Sequence, residues 1–467
     1  MASWRRGARF SIFLPPTPRF RIDHMTRPSS GRFRSGASLL FTAMVGCAPE
    51  APPPEIPFGG PSPWPSIRET RVRELLPAAM RTAGVDAWII LVRENANDPL
   101  ALHVGGENAG APSAILFLRR GDEIRSMVLT GFGEAVALRD LGLHDSVVVY
   151  EQGPAALESA VAERMRAVDP ATIAINSGGT GVADGLSWTQ RTALERALGP
   201  RLSTRLVPSG PLVDAWLAVK LPAEIAILRR AAALTEGLER EAYATVVPGT
   251  TTDADLARFL KRRMREFGVE DGWSPAQNPN VNSGPDRGHS HATDRVIQPG
   301  DLIQTDFGIR VHGVWVTDIQ RFAYVLRPGE TGPPAEVQRR WEAALSAGRA
   351  AFDAMGPGVP GAQVDSAQRL VMQETGSLPV PWGTGHPVGY WAHDAGPGLN
   401  RRETRPLVEG QVLAFDSFHA WALDGSATAV WGEGTKSFSS EEMAVITSTG
   451  AEYLVAPQRE LILIRSR

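Results

Sequence analysis

At 467 residues the chain is longer than one hydrophobic core usually serves, so two or three structural units are expected. Hydrophobic residues make up 43% and charged ones 21%, with a formal net charge of −3, which excludes the basic balance of a nucleic-acid binder and the sparse apolar content of a disordered chain. A single cysteine excludes an intrachain disulfide framework.

The charge is unevenly placed. Residues 1–46 hold eight arginines and one acid, Asp23, leaving 40 bases against 50 acids, a net of −10, in the rest. Arg27, Arg32 and Arg34 precede an uncharged run over 35–46 that includes Leu39, Leu40, Phe41, Met44 and Val45, the order of an export signal. Its twelve residues are fewer than the roughly 20 a membrane-spanning helix needs, so a removable signal is expected over 1–46, with Met25 as the expected start. Met44-Val45-Gly46-Cys47 resembles the lipobox of bacterial lipoproteins. That resemblance implies a lipidated Cys47 holding an exported chain to the bacterial cell envelope, facing the periplasm; the plain alternative is an incidental thiol.

Prolines recur from Pro49 to Pro65, so 47–67 reads as a stiff extended tether. Val72, Leu75, Leu76, Ala79 and Met80 then recur at helical spacing, Gly84 stops that helix, and 88–92 is a buried-strand run. Strand-like runs at 114–118, 126–129, 146–150 and 172–175 alternate with helical stretches such as 155–168, which predicts an α/β domain over 68–209. A helical stretch from Pro222 opens a second domain, 210–455. There, helices over 253–267, 335–355 and 363–375 mix with strand pairs at 301–325 and 411–422, an α+β pattern, and 456–467 reads as a tail. No repeat of solenoid length is visible.

Six of the nine histidines lie between His289 and His419. Histidine with carboxylate is a ligand set suited to zinc, manganese, cobalt or iron. A strand over 301–308 delivers Asp306, His312-Gly313 makes a turn, and the return strand delivers Asp318. Two carboxylates side by side in a core are costly unless cations neutralise them, which calls for either metal ions or an arginine clamp. Gly383-Thr384-Gly385-His386 places a histidine on a glycine-rich strand, and His393 follows seven residues on; Asp416 and Glu441 lie in late strands.

With Asp-Phe-Gly at 306–308, a second Asp on the return strand, Gly-His with a second His, and Glu441 six residues before Thr447, the chain resembles the pita-bread metallopeptidases over about 68–455. The resemblance is to the branch of aminopeptidase P, prolidase and creatinase. It implies an α/β N-terminal creatinase-like domain followed by an α+β pita-bread catalytic domain. It also implies that Asp318 and Glu441 bridge two divalent metal ions, that Asp306 holds one, and that His386 with Asp416 holds the other. By the same pattern Asp416 accepts a proton from water, and His289 and His393 contact the substrate carbonyl and the tetrahedral intermediate. The implied activity is that of an Xaa-Pro aminopeptidase acting on peptides, in a homo-oligomer.

Three departures stand out. Position 416 is usually Glu in the family, and Asp is one methylene shorter. The interval from Asp306 to Asp318 is twelve residues where eleven is commoner, which predicts a bulge in the return strand. Ser439 stands where the family often has an arginine that positions substrate, which argues against a strict dipeptidase gripping a free carboxylate; Lys436 is the substitute that the sequence offers. No Gly-x-Ser-x-Gly elbow, His-Glu-x-x-His helix or phosphate-binding Gly-x-x-x-x-Gly-Lys loop is present. A non-catalytic peptide- or partner-binding protein of the same fold, a metal-free creatinase-like hydrolase, and a metal-dependent hydrolase of another amide or ester remain as alternatives. Trp382, Trp391, Trp421 and Trp431 are candidates for an apolar pocket or for core.

Overall fold

The computed structural model describes residues 57–465 apart from 152, 154, 180, 285–289 and 428. The arginine-rich start, the apolar run and Cys47 lie outside the described residues. The tether expected over 47–67 ends sooner: Phe58, Trp64 and Ile67 are buried, and a helix begins at Trp64. Pro63 and Pro65 are compatible with that helix because the first turn needs no intrahelical N–H donors. The helical run continues as Trp64–Thr70, a wider π turn Arg71–Leu75, and Leu76–Thr82. Pro77 cannot donate to the preceding turn, and the Leu76 N–H reaches back to the Arg71 carbonyl instead.

Six strands follow: β1 Ala87–Val92, β2 Ser113–Arg120, β3 Glu123–Thr130, β4 Ser146–Val149, β5 Ile173–Ile175 and β6 Leu206–Pro208. They form a mixed sheet in the order β4-β3-β2-β1-β5-β6, with β1, β2 and β3 antiparallel and the outer pairs parallel. Strand β1 is buried throughout and sorts its residues by alternation. Ala87, Ile89 and Leu91 pack under the helices Ala156–Val168 and Trp188–Ser203 through Val161, Met165, Leu194 and Leu198. Trp88, Ile90 and Val92 face the other way, into a core shared with Trp216, Leu228 and Trp315.

The second half contributes β7 Glu270–Asp271, β8 Asn280–Ser283, β9 Leu302–Phe307, β10 Ile309–Val311, β11 Trp315–Val316, β12 Ile319–Val325, β13 Gly385–Pro387, β14 Val412–Ala422, β15 Thr435–Thr447, β16 Gly450–Tyr453 and β17 Ile462–Ile464. The main sheet runs β13-β14-β15-β12-β9-β8, with β16 on β15 and β17 on β12. Helix Pro222–Ala244 covers β9 and β12, and helix Asp253–Glu266 packs on β8, with Leu228, Ala231, Leu256 and Leu260 in the shared core. Helices Ala335–Ala354 and Gly361–Glu374 cover β14 and β15 through Ala351 and Val364. No described helix is long and apolar enough to cross a membrane.

Two expectations are corrected here. The segment 456–467 is not a tail as far as it is described: Ile462–Ile464 pairs in parallel with β12, and Gln458 bonds to both backbone groups of Phe322. The return strand toward Asp318 carries no bulge, because one register holds from Leu302 opposite Tyr324 to Val311 opposite Trp315. The extra residue is absorbed in the turn, where His312 and Gly313 adopt φ of 52° and 69° and the Val314 N–H donates to Val311 O at 3.0 Å.

A buried ion cluster joins the two halves. Arg71 pairs with Glu224 at 2.7 Å, both side chains fully buried, and donates to Trp216 O and Val219 O. Trp315 Nε1 and Tyr390 OH donate to the other oxygen of Glu224. Lys220 pairs with Asp394 at 3.1 Å, and the Tyr390 N–H donates to Asp394. Removing one member of such a pair leaves an uncompensated buried charge. Arg71→Met is expected to lower stability by about 3–5 kcal/mol, read from the urea midpoint, with partial recovery when Glu224→Gln is added.

Among the described residues, buried His103 and His419 and half-buried His144 each have an Nδ1 that is out of solvent and without a hydrogen-bond partner. Burial holds the pKa values of His144 and His419 down to about 4, and that of His103 well below the ordinary 6.5. A depressed histidine pKa means that the unfolded chain takes up protons the native chain refuses. Stability from this source is therefore complete above pH about 6.5 and falls as pH drops toward about 4. In His144→Gln, which can keep a donor to Val104 O, the urea midpoint should depend less steeply on pH between 6.5 and 4 than in the unmodified chain.

Candidate metal centre

The register of the second sheet builds the site. Asn280 lies opposite Asp306, Asp306 opposite Gln320, Gln320 opposite Glu441, and Glu441 opposite Asp416. Directly opposed residues share a face, so these five side chains form a row across β8, β9, β12, β15 and β14. Asp318, two residues before Gln320, and His386, opposite Ala414 on β14, belong to the same face by alternation. His386 Nε2 lies 3.5 Å from Glu441 Oε1 and 4.0 Å from Asp318 Oδ2. One ligand atom from each of Asp318, His386 and Glu441 falls within 4.8 Å of the others, while Asp306 and Asp416 stand to either side.

The electrostatics are those of a cation site. Burial, reinforced by the charges of Glu441 and Asp306, pushes the Asp318 and Asp416 carboxyls well above the usual carboxylate range. Burial works against a charged His386 ring, but its contact with Glu441 and the Pro387 carbonyl outweighs that and raises its pKa. His393 stacks on His386 with ring centroids 4.1 Å apart, and the neighbouring His386 charge, then burial, hold it down at about 4. Among the described residues Arg321 does not neutralise the row: it sits one residue out of phase and makes a two-pronged pair with Glu442. Four carboxylates and an imidazole on one buried face fit divalent cations.

Of the residues singled out in the sequence, Asp306, Asp318, His386, Asp416 and Glu441 are brought together and His393 stands beside them; His289 lies outside the described residues. The sequence did not point to Gln320. Its Nε2 donates to Glu441 Oε2 at 2.9 Å and to Asp416 Oδ1 at 3.2 Å, while its Oε1 accepts from Gln304 Nε2 at 2.7 Å and Ser439 Oγ at 3.0 Å. Ser439 thus orients the amide that orients two acids. Lys436 donates to Gly284 O. Gln368 Nε2 bonds to the Asp416 carbonyl, fixing the backbone behind that shorter side chain.

A cavity of about 620 Å³ opens beside Asp306 and Asp318, walled by Trp273, Arg310, Trp391 and His393. Trp391 is therefore pocket wall, whereas Trp382 and Trp431 pack edge to face and Trp421 lies under Arg340 and against Phe438. Gln320→Leu is expected to weaken divalent-metal binding about 10–100-fold by leaving Glu441 and Asp416 unoriented, measured by competition with a chromogenic chelator while the far-ultraviolet dichroism stays unchanged.

Residues 226–448 match the profile of metallopeptidase family M24. The probable dipeptidase PepE of Mycobacterium tuberculosis is 28% identical over 290 residues, 61% of this chain and 70% of that one. The Xaa-Pro dipeptidase of Pyrococcus furiosus is 27% identical over 255 residues, 52% of this chain and 65% of that one. Among solved structures, dipeptidase PepE from Mycobacterium ulcerans superposes with a TM-score of 0.66 at 23% identity, covering 86% of this chain and 99% of its own. That likeness bears on the fold, which is the expected one: a creatinase-like α/β domain ahead of a pita-bread domain.

Proposed function

Because the chain belongs to the pita-bread metallopeptidases of family M24, we propose that it removes the N-terminal residue of peptides ahead of proline, as a metal-dependent Xaa-Pro aminopeptidase. The observation that carries this reading is the row of buried carboxylates beside His386, opening on a cavity next to His393. Relatives named dipeptidase and Xaa-Pro dipeptidase support short peptides as substrates.

In this reading Asp306, Asp318, His386, Asp416 and Glu441 would hold two divalent ions, manganese, zinc, cobalt or iron, which when bound supply a lowered water pKa and a polarised scissile carbonyl. Asp416 takes the proton of the attacking water. The neutral His393 ring donates an N–H to the carbonyl oxygen as charge develops on it, with His289 as its counterpart. Trp273 and Trp391 offer apolar surface to the prolyl ring. The segment 1–46 exports the chain, Cys47 carries the lipid that holds it to the cell envelope, and the enzyme works as a homo-oligomer.

The test is metal content and turnover on one sample of the full chain. Two metals per chain, cleavage of Xaa-Pro peptides that disappears on chelation, and a loss in Asp318→Ala exceeding the roughly 10–100-fold that an outer partner costs are expected. Stoichiometric metal without cleavage of any Xaa-Pro peptide would sink the substrate assignment. Absence of metal under every loading condition would favour a peptide-binding role.

A further inference from the structure

Helix Asp253–Glu266 buries Leu256, Leu260 and Met264, while Arg258, Lys261, Arg262 and Arg265 repeat at the i, i+3, i+4, i+7 spacing of a single outer stripe. That stripe walls a second cleft, of about 470 Å³, whose lining also includes Asn278 and His291. Among the described residues the wall carries four cations and no carboxylate. Two of the four are committed to partners: Arg258 pairs with Asp255 at 2.7 Å, and Lys261 pairs with Asp271 and donates to Pro275 O at 3.0 Å. The other two are not. Arg262 Nε stands 3.9 Å from Glu266, which bonds more closely to Arg263, and the Arg265 side chain makes no hydrogen bond or ion pair among the described residues. Cations in a last helical turn suit the helix dipole. That leaves Arg258 and Lys261 without a reason, and the sign of the whole wall as well, in a chain whose residues 47–467 carry a net of −10.

The cleft adjoins the cavity beside the acid row. His291 lines both, and Asn278 and Pro279 of the cleft lie between Gln277 and Asn280 of the cavity in one stretch of chain. An aminopeptidase holds the amino end of its substrate at the acids, so the part that leaves the cavity is the downstream part of the peptide. From Arg258 to Arg265 the helix advances about 10 Å at roughly 1.5 Å per residue. An extended peptide covers that distance in about three residues at roughly 3.3 Å each. A run of about three or four aspartates or glutamates therefore matches the stripe in both length and sign. One exposed ion pair contributes little, so the effect comes from several pairs acting on one segment.

We propose that Arg258, Lys261, Arg262 and Arg265 receive acidic side chains downstream of the scissile bond, so that the enzyme favours Xaa-Pro peptides that continue into an acidic run. This rests on the peptidase reading above and deepens it. A stripe that only solvates its helix would treat acidic, neutral and basic continuations alike, and the test separates the two.

The metal-loaded full chain is compared with Arg262→Gln/Arg265→Gln and Arg262→Glu/Arg265→Glu on Ala-Pro peptides that continue as four glutamates, four glutamines or four lysines. Each peptide is amidated at its C-terminus, so that only side-chain charge differs. In the unmodified chain kcat/KM should be about 5–20-fold higher on the glutamate than on the glutamine peptide, mainly through KM. That ratio should fall toward 1 in about 1 M salt, where the screening length is about 3 Å. The glutamine pair of substitutions should bring the ratio to about 1–3, and the glutamate pair should reverse it in favour of the lysine peptide. Equal turnover of the three peptides by the unmodified chain, or a preference that persists in both variants, would overturn the proposal. A second arm needs no turnover: calorimetric titration of the chelated full chain with the glutamate and glutamine peptides. Tighter binding of the glutamate peptide that is lost in Arg262→Gln/Arg265→Gln supports the assignment, and equal binding overturns it. Equal binding together with attachment to phosphatidylglycerol vesicles that the same variant loses would assign the stripe to an anionic membrane surface instead. A metal-loaded chain that cleaves no peptide would sink the peptidase reading, while the binding arm still decides the role of the stripe.

Discussion

Four carboxylates on one face of a buried sheet repel one another, and this constraint organises the catalytic half. Asp306, Asp318, Asp416 and Glu441 would each be more stable apart; burial first, then the charges of Glu441 and Asp306, displaces the Asp318 and Asp416 pKa values upward. The sheet keeps them together because side-chain alternation separates two polar layers. On one face lie the acids, His386 and the Gln304–Gln320–Ser439 chain of hydrogen bonds. On the other lie Thr305, Arg321 and Glu442, where Glu239, pushed well above the usual carboxylate range by burial, accepts from Thr305 at 2.6 Å. Arg321 is committed to Glu442 on its own face and is not available to neutralise the acid row.

The N-terminal half acts on this site at a distance. Arg71 reaches from the first helical run to Glu224, Glu224 accepts from Tyr390, and Tyr390 belongs to the loop that carries His393. Lys220 and Asp394 clamp the same loop from the other side, with Lys220 Nζ 4.7 Å from the Tyr390 ring centroid. Both ion pairs are fully buried, so the loop is held by interactions that lose much when one member is removed. The orientation of His393 thereby depends on residues more than 150 positions away in sequence. Stability of the first half and geometry of the site are physically the same interaction.

How much of this was legible depends on the range of the information. Periodicity located the helices and strands, and the metal-centre positions could be read because each sits in a local pattern: Asp306 before Phe-Gly, His386 after Gly. Gln320 carried no such mark. A neutral amide two residues after Asp318 becomes important only through the β12–β15 register, which pairs segments 121 residues apart. Prolines before Trp64 misled because they suit an extended tether and the first turn of a helix equally well. The absent bulge shows a different limit: spacing gives the length of a hairpin but not whether a strand or its turn takes up the extra residue.

The glycines of the His386 motif show how close packing sets chemistry. A Cβ on Gly385 would lie 2.3 Å from the Ala414 carbonyl oxygen, so only glycine lets β13 lie this close to β14 and bring His386 beside Glu441. At Gly389, where φ is 148°, a Cβ would meet Lys220 Cε at 2.5 Å, which would displace the ammonium from Asp394 and release the loop bearing His393. Gly308 obeys the same rule, with a Cβ 2.1 Å from Thr317 O at the point where the hairpin leaves Asp306 and returns to Asp318. At each of these places the chain gives up a side chain so that two backbones can approach, and each approach places one of the groups gathered at the site. The acid row is therefore as much a consequence of backbone proximity as of the acids themselves.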